Sequence, residues 1–485
     1  MKTPLLLLLL AVPVLAQEEA PASADSAPAA APAAPPADVI EAPKAEPKKE
    51  EPKEEAPKAL PKPSLAPEEP KPEPKPEPKP EAKPEPKAAA KAGPSDEFAF
   101  AKSAAEDADG KVSEASMEEL AVFVRRHPNS AQAPEAMLLL AGLKQKNGDW
   151  QPATASLLRL LYEYPETKIG LRAKSDYLTL VDKKASRKHR QTLNDLVRLP
   201  ETADKADRLS ALWRRVAEQA PDALYEPVAA EIRDFSVRFP EHKDGDRLQA
   251  ALARLHAAND KPAAAMLSWR KLLALFADSP LRPEAQMAVG DLYADALRDP
   301  KKAIDAYQEL VEKYPKAPEV QAALERSAQL FDDKLRQYAL AVEMHERVVT
   351  LFPKTPASLK ALKSVAKLQR DRLGSPGDAV KTLQRLSSMH GGQDGVDALL
   401  QAADFAKRDL KDPARQAELL RKVSDDYAGA KEAPQALYDS AEVYESTLKD
   451  NAKAMELYKE VVSKFPSHKL AKRAGDRVAK IEQAN

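Results

Sequence analysis

Seven histidines, at positions 127, 189, 242, 256, 345, 390 and 468, are the residues with which metal or acid–base chemistry would begin. A catalytic zinc helix needs the pattern His-Glu-x-x-His, which sets two imidazoles on one face beside a carboxylate, and structural zinc sites draw on thiolates. The chain has no such pattern and no Cys. No metal, cofactor or catalytic residue is therefore assigned, and the chain is read as a non-enzyme. The run Gly391-Gly392-Gln393-Asp394-Gly395 lacks the Lys-Ser or Lys-Thr that completes a phosphate-binding loop, and it reads as a flexible joint. Trp150, Trp213 and Trp269 stand singly and far apart, as packing residues do, rather than as a platform for stacked bases. Charge remains. Lys183, Lys184, Arg187, Lys188, His189 and Arg190 form the densest basic cluster. It reads either as a solvated turn or as the seat of an anionic partner, such as an acidic protein or an envelope glycan, whose attraction falls with salt. A formal net charge of −1 over 485 residues gives no electrostatic footprint for DNA or RNA.

The elements that would position any such group are helices of a repeat. In Asp299 to Pro318, Asp299 is suited to cap a helix start and Pro300 to occupy its first turn. Ala303, Tyr307, Leu310, Val311 and Tyr314 then form one apolar stripe on a 3.6-residue period, and Pro315 ends the helix. The aromatic-proline end has ten equivalents: His127-Pro128, Tyr164-Pro165, Leu199-Pro200, Phe239-Pro240, Phe276-Ala277, Tyr314-Pro315, Phe352-Pro353, Met389-His390, Tyr427-Ala428 and Phe465-Pro466. They are spaced by 37, 35, 40, 37, 38, 38, 37, 38 and 38 residues, the mark of stacked helix pairs that cannot bury an apolar face alone. His345 occupies the slot of Tyr307 and reads as a packed helix residue. The region from Lys183 to Leu224 fits least well, as a helix pair with altered turns. Ser467 to Asn485, with Leu470, Ala474, Val478 and Ile481 on one face, reads as a capping helix.

Ala303, Tyr307 and Pro315, and again Ala454, Tyr458 and Pro466, resemble the small, aromatic and proline positions of the tetratricopeptide repeat. The small-then-aromatic pairs Gly290 and Tyr293, Ala328 and Phe331, and Ala441 and Tyr444 match that family's first helix. The period runs about four residues beyond the family's 34, an excess placed in the turns. The resemblance implies an all-α solenoid of about ten antiparallel helix pairs that binds extended peptides or partner helices in a groove lined by first helices. Carried onto this chain, the groove positions are Lys360, Lys363, Lys367 and Arg370. The preceding first helix offers Glu325, Gln329 and Asp332 there, and the following one offers Asp397, Leu400 and Asp404. The four cations either pair across neighbouring helices, as solvated salt bridges of about 0–1 kcal/mol each, or seat an acidic peptide or carboxylate.

Met1-Lys2, the apolar run Leu5 to Leu10 and the small residues Val14 and Ala16 read as a signal peptide over residues 1–16. Without a Cys the chain cannot be a bacterial lipoprotein, so it is expected to be exported and soluble, in the periplasm or outside the cell. Residues 17–95 are rich in Ala, Pro, Lys and Glu, and PKPEPKPEPKP at Pro70 to Pro80 holds the backbone near polyproline II with few apolar groups to collapse. They read as a disordered tether that resembles the envelope-crossing segments of TonB-like proteins and could pass near peptidoglycan. At roughly 3.1 Å per residue it spans at most about 240 Å. The repeat array is expected over 96–485, with its cap at 467–485. The repeat type is similar to that of exported bacterial envelope proteins, the Tol-Pal-associated cell-division coordinator and the outer-membrane-assembly proteins. That similarity implies a scaffold for other envelope proteins, without nucleic acid and without a membrane span in the mature chain. The alternative is a structural spacer in a large envelope or motility machine.

Overall fold

The structure, a computed structural model, describes residues 93–109, 111–202 and 204–484. The expected signal peptide and all of the expected tether but its last three residues lie outside that range. Among the described residues there are 21 helices and no strand. They are α1 Pro94–Glu106, α2 Lys111–Arg126, α3 Ala133–Lys146, α4 Trp150–Glu163, α5 Lys168–Lys184, α6 Arg187–Asp195 and α7 Lys205–Gln219. Next come α8 Tyr225–Arg238, α9 Gly245–Ala258, α10 Pro262–Leu275, α11 Arg282–Asp291, α12 Pro300–Lys313, α13 Glu319–Asp333 and α14 Tyr338–Leu351. The last are α15 Pro356–Asp371, α16 Pro376–His390, α17 Gly392–Phe405, α18 Pro413–Asp426, α19 Ala433–Val443, α20 Asn451–Lys464 and α21 Lys469–Ala484. Successive helices pack on one another as a tetratricopeptide-like solenoid. None of them is long and apolar enough to cross a membrane.

Local chemistry explains the regular boundaries. Asp299, Asp412 and Asp450 each accept a hydrogen bond from the backbone N–H three residues on, and so cap α12, α18 and α20. Four of the second helices close on an aromatic residue with φ near −130°: Tyr314 (−129°), Phe352 (−127°), Tyr427 (−136°) and Phe465 (−130°). The first helices end differently. Residues 298, 336, 374, 411 and 449 take a left-handed conformation, and the next N–H in each case reaches a carbonyl six residues back. In α11, α17 and α19 this widening becomes a π turn, over Leu292–Ala296, Ala406–Leu410 and Tyr444–Leu448. Part of the excess over 34 residues thus sits in the last turn of the first helix rather than wholly between helices.

The core is a succession of clusters in which the repeat-defining side chains are buried. Ala303, Tyr307, Ala454 and Tyr458 are all 0% exposed, while Pro315 and Pro466 directly follow the aromatic ends. Gly290 shows why a small residue is needed: a Cβ there would lie 2.3 Å from the Tyr307 ring. The capping helix α21 buries Leu470, Ala474, Val478 and Ile481, as its pattern predicts.

Two regions depart from expectation. The second helix of the Lys183–Leu224 region shrinks to the nine residues of α6, so Leu199-Pro200 follows a loop rather than ending a helix. Helix α4 reaches past it to pack on α7 and α8. The carbonyls after α6 are satisfied by side chains: Tyr162 Oη donates to Leu196 O at 2.6 Å, and an Arg215 Nη donates to Asp195 O at 3.0 Å. The glycines at 391 and 392, with φ of 64° and 54°, make a tight break between α16 and α17 rather than a flexible joint. Gly395 packs there against Tyr427, whose hydroxyl would lie 2.3 Å from an added Cβ.

Candidate partner-binding site

Helix α15 starts from Thr355, whose hydroxyl accepts from Ser358 N–H in a capping box. It buries Ala361, Leu362, Val365 and Ala366 and so turns Lys360, Lys363, Lys367 and Arg370 outward. Three of the four have carboxylate partners on neighbouring first helices. Lys360 Nζ lies 3.1 Å from Glu325 on α13, Lys363 Nζ lies 2.6 Å from Asp394 on α17, and Arg370 Nε lies 2.7 Å from Asp409 in the turn beyond α17. Arg370 also lies 4.3 Å from the centre of the Phe405 ring. Asp397 and Asp404 are not used: Asp397 accepts from Gln393, and Asp404 pairs with Arg408. Lys367 has no ion pair among the described residues. It lines a shallow hollow of about 310 Å³ with Pro356, Leu359, Lys360, Lys363 and Ser364.

Lys360 and Ser364 also bound a larger groove of about 540 Å³ between α13 and α15, whose other walls include Glu325, Gln329, Asp332 and His345. His345 is not packed away as Tyr307 is. Its ring is half-buried at the groove, its Nδ1 is buried without a hydrogen-bond partner, and burial lowers its pKa.

The basic cluster is divided. Lys188 pairs with Asp222 at 3.1 Å, His189 with the same carboxylate at 3.0 Å, and Arg190 with Asp182 at 3.4 Å. Lys183, Lys184 and Arg187 are exposed around the turn from α5 to α6 with no ion pair among the described residues.

The sequence pattern does not reveal a charged node joining α4 to α7 and α8. Glu163, with a side chain 3% exposed, takes Arg159 at 2.9 Å, Lys205 at 2.8 Å and Arg238 at 3.0 Å. Burial alone would raise its pKa, but the three cations more than offset this and lower it. Arg159 also holds Glu231 at 3.3 Å and Asp234 at 3.1 Å. These partners lie about 70 residues away, and no local spacing encodes them. Asp204, Asp207 and His242 bring three potential metal ligands together, but Lys243 Nζ already lies 2.8 Å from Asp207.

Stacked helix pairs that leave a lined groove between successive first helices define a repeat protein of the interaction class. Residues 135–167, 284–317 and 435–468 match the tetratricopeptide repeat family model, so the chain carries tetratricopeptide repeats. Similar solved structures include a tetratricopeptide repeat protein from Parabacteroides merdae, at 15% identity over 56% of this chain and 98% of that one, with a TM-score of 0.30. They also include PilW, described as a type IV pilus biogenesis factor (18% identity, 49% and 100% coverage, TM-score 0.27), and pilF of Pseudomonas aeruginosa (16%, 48% and 98%, TM-score 0.29). No curated protein matches the chain.

Proposed function

We propose that this protein is a non-enzymatic adaptor of the bacterial cell envelope, which holds an extended segment of another envelope protein in the first-helix groove around α13 and α15. Lys367, the exposed cation of the α15 stripe with no ion pair among the described residues, carries this reading. It stands beside a groove of about 540 Å³ lined by Glu325, Gln329, Asp332, His345 and Lys360. Lys367 is free to take a partner's carboxylate, whereas Lys360, Lys363 and Arg370 are already paired with Glu325, Asp394 and Asp409. Location in the periplasm rests on the leader-like residues 1–16, and reach through the envelope on the proline-rich residues 17–95.

The test is crosslinking in intact envelopes with the full chain, comparing wild type with the double variant Lys363→Glu, Lys367→Glu. Partners seen with wild type are expected to be lost from the variant while its helical circular dichroism is unchanged. Equal capture by the two would exclude the groove as the binding element. A mature N-terminus other than Gln17 would contradict the proposed export.

A further inference from the structure

A second cavity lies away from the first-helix groove, where α2, α3, α4 and α8 meet. It has a volume of about 390 Å³, within the range of small-ligand and side-chain pockets. Ala121, Val124, Met137 and Leu140 form its apolar wall, and Lys144, Ser156 and Arg159 its polar one. Glu118 and Arg125 stand exposed at its rim with opposite charges.

One lining residue sets this repeat apart. The three segments that match the family model begin at residues 135, 284 and 435, and nine residues into each stand Lys144, Tyr293 and Tyr444. Where two repeats place an aromatic ring, this one places an ammonium. The equivalent groove at α10, α11 and α12 shows what the ring does: Tyr293 lies with Arg270 at 5.9 Å and Lys302 at 5.8 Å from its centre. There the chain supplies both ring and cations. At Lys144 it supplies the cation alone.

Lys144 is also short of partners. Its one hydrogen bond is to Ser156 Oγ at 2.9 Å, and among the described residues no carboxylate comes within ion-pairing distance of it. Glu231 and Asp234 on the same cavity are taken up by Arg159. Burial lowers the pKa of Lys144, although Glu231 across the cavity pulls the other way without coming close enough to pair with it. An apolar wall beside such a cation is complementary to a ring that brings its own anion.

We infer that this cavity is a second docking site, which receives an aromatic side chain of a partner protein together with an adjacent carboxylate, the ring entering against Val124, Met137 and Leu140 and the carboxylate meeting Lys144. The site goes beyond the first-helix groove and does not depend on it.

The probes are the blocked dipeptide acetyl-Phe-Asp-amide and its neutral counterpart acetyl-Phe-Asn-amide, titrated against the full chain by saturation-transfer NMR. The acid is expected to bind at least tenfold more tightly than the amide. Lys144→Met should remove that difference, and Lys144→Phe, which restores a ring from within the chain, should abolish binding of both and raise the melting temperature. Lys363→Glu should leave the titration unchanged. Equal binding of acid and amide, binding that survives Lys144→Phe, or no binding of either probe to the wild type would each overturn the inference. Should Lys144→Phe fail to fold, the acid–amide comparison in Lys144→Met decides alone.

Discussion

Replacing Glu163 with Gln keeps the shape of the side chain and removes the charge on which three cations converge. Removing one member of a buried ion pair costs about 3–5 kcal/mol, because the partner is left buried and uncompensated. Here the loss is unevenly spread. Arg159 keeps Glu231 and Asp234, Arg238 keeps Asp234, and Lys205 alone loses its carboxylate. The low end of the range, about 3 kcal/mol, therefore applies. The sign with pH follows from the depressed pKa of Glu163: its stabilisation is present above the ordinary value of 4.5 and is lost as pH falls through the lower folded-state value. Hydrogen exchange read by mass spectrometry resolves this locally, which suits an array that need not unfold as a whole. At pH 7 amides of α4 and α8 should exchange about a hundredfold faster in Glu163→Gln than in wild type, while those of α20 stay unchanged. The gap should narrow as pH falls below 4.5 and close once Glu163 is protonated in the folded state. Equal protection at pH 7, or a gap that persists in acid, would refute the assignment of this node as the clasp between α4 and α8.

Two further perturbations test other parts of the structure. Gly290→Ala drives a Cβ to 2.3 Å from the fully buried Tyr307 ring and should lower stability by about 1–3 kcal/mol, whereas Gly142→Ala, with nothing within 4 Å, should be neutral or stabilising; thermal melts of the two variants compare them directly. His345 has a lowered pKa, so the unfolded chain takes up its proton first and stability should fall as pH drops below the ordinary value of 6.5; in His345→Gln that part of the pH dependence should disappear from urea titrations at pH 7.5 and pH 5.5, chosen on either side of that value.

The helices were legible because their information is local. Asp299 caps its own helix, Tyr307 lies one repeat from its equivalents, and the aromatic-proline end recurs with nearly constant spacing, so counting along the chain found the elements and their buried faces. The stripe of Lys360, Lys363, Lys367 and Arg370 was legible as a surface for the same reason. Its pairing was only half visible: Glu325 was in the expected place for Lys360, but Asp394 rather than Asp397 meets Lys363, because the break at Gly391 and Gly392 sets the start of α17. The shortened α6 was invisible to a ruler based on period, since intervals of 35 and 40 residues sum to two ordinary repeats while hiding a loop. The Glu163 node and the Lys144 cavity depend on α8 lying beside α4, and no spacing on either helix encodes that. Lys144 still left a trace, as a charged residue in a slot where Tyr293 and Tyr444 stand in the other two matched repeats.

The reach of α4 across α5 and α6 to α7 and α8 bears on how such a chain can change length over evolutionary time. From α9 onward helices meet their sequence neighbours or the next helix of the same kind, so in-frame gain or loss of one pair leaves matching surfaces on either side. Between α4 and α8 no such cut is neutral. Excising α7 and α8 would strip Arg159 of Glu231 and Asp234 and Glu163 of Lys205 and Arg238 in one event. Duplications and deletions among relatives should therefore fall outside the stretch from α4 to α8, which is inherited as a block.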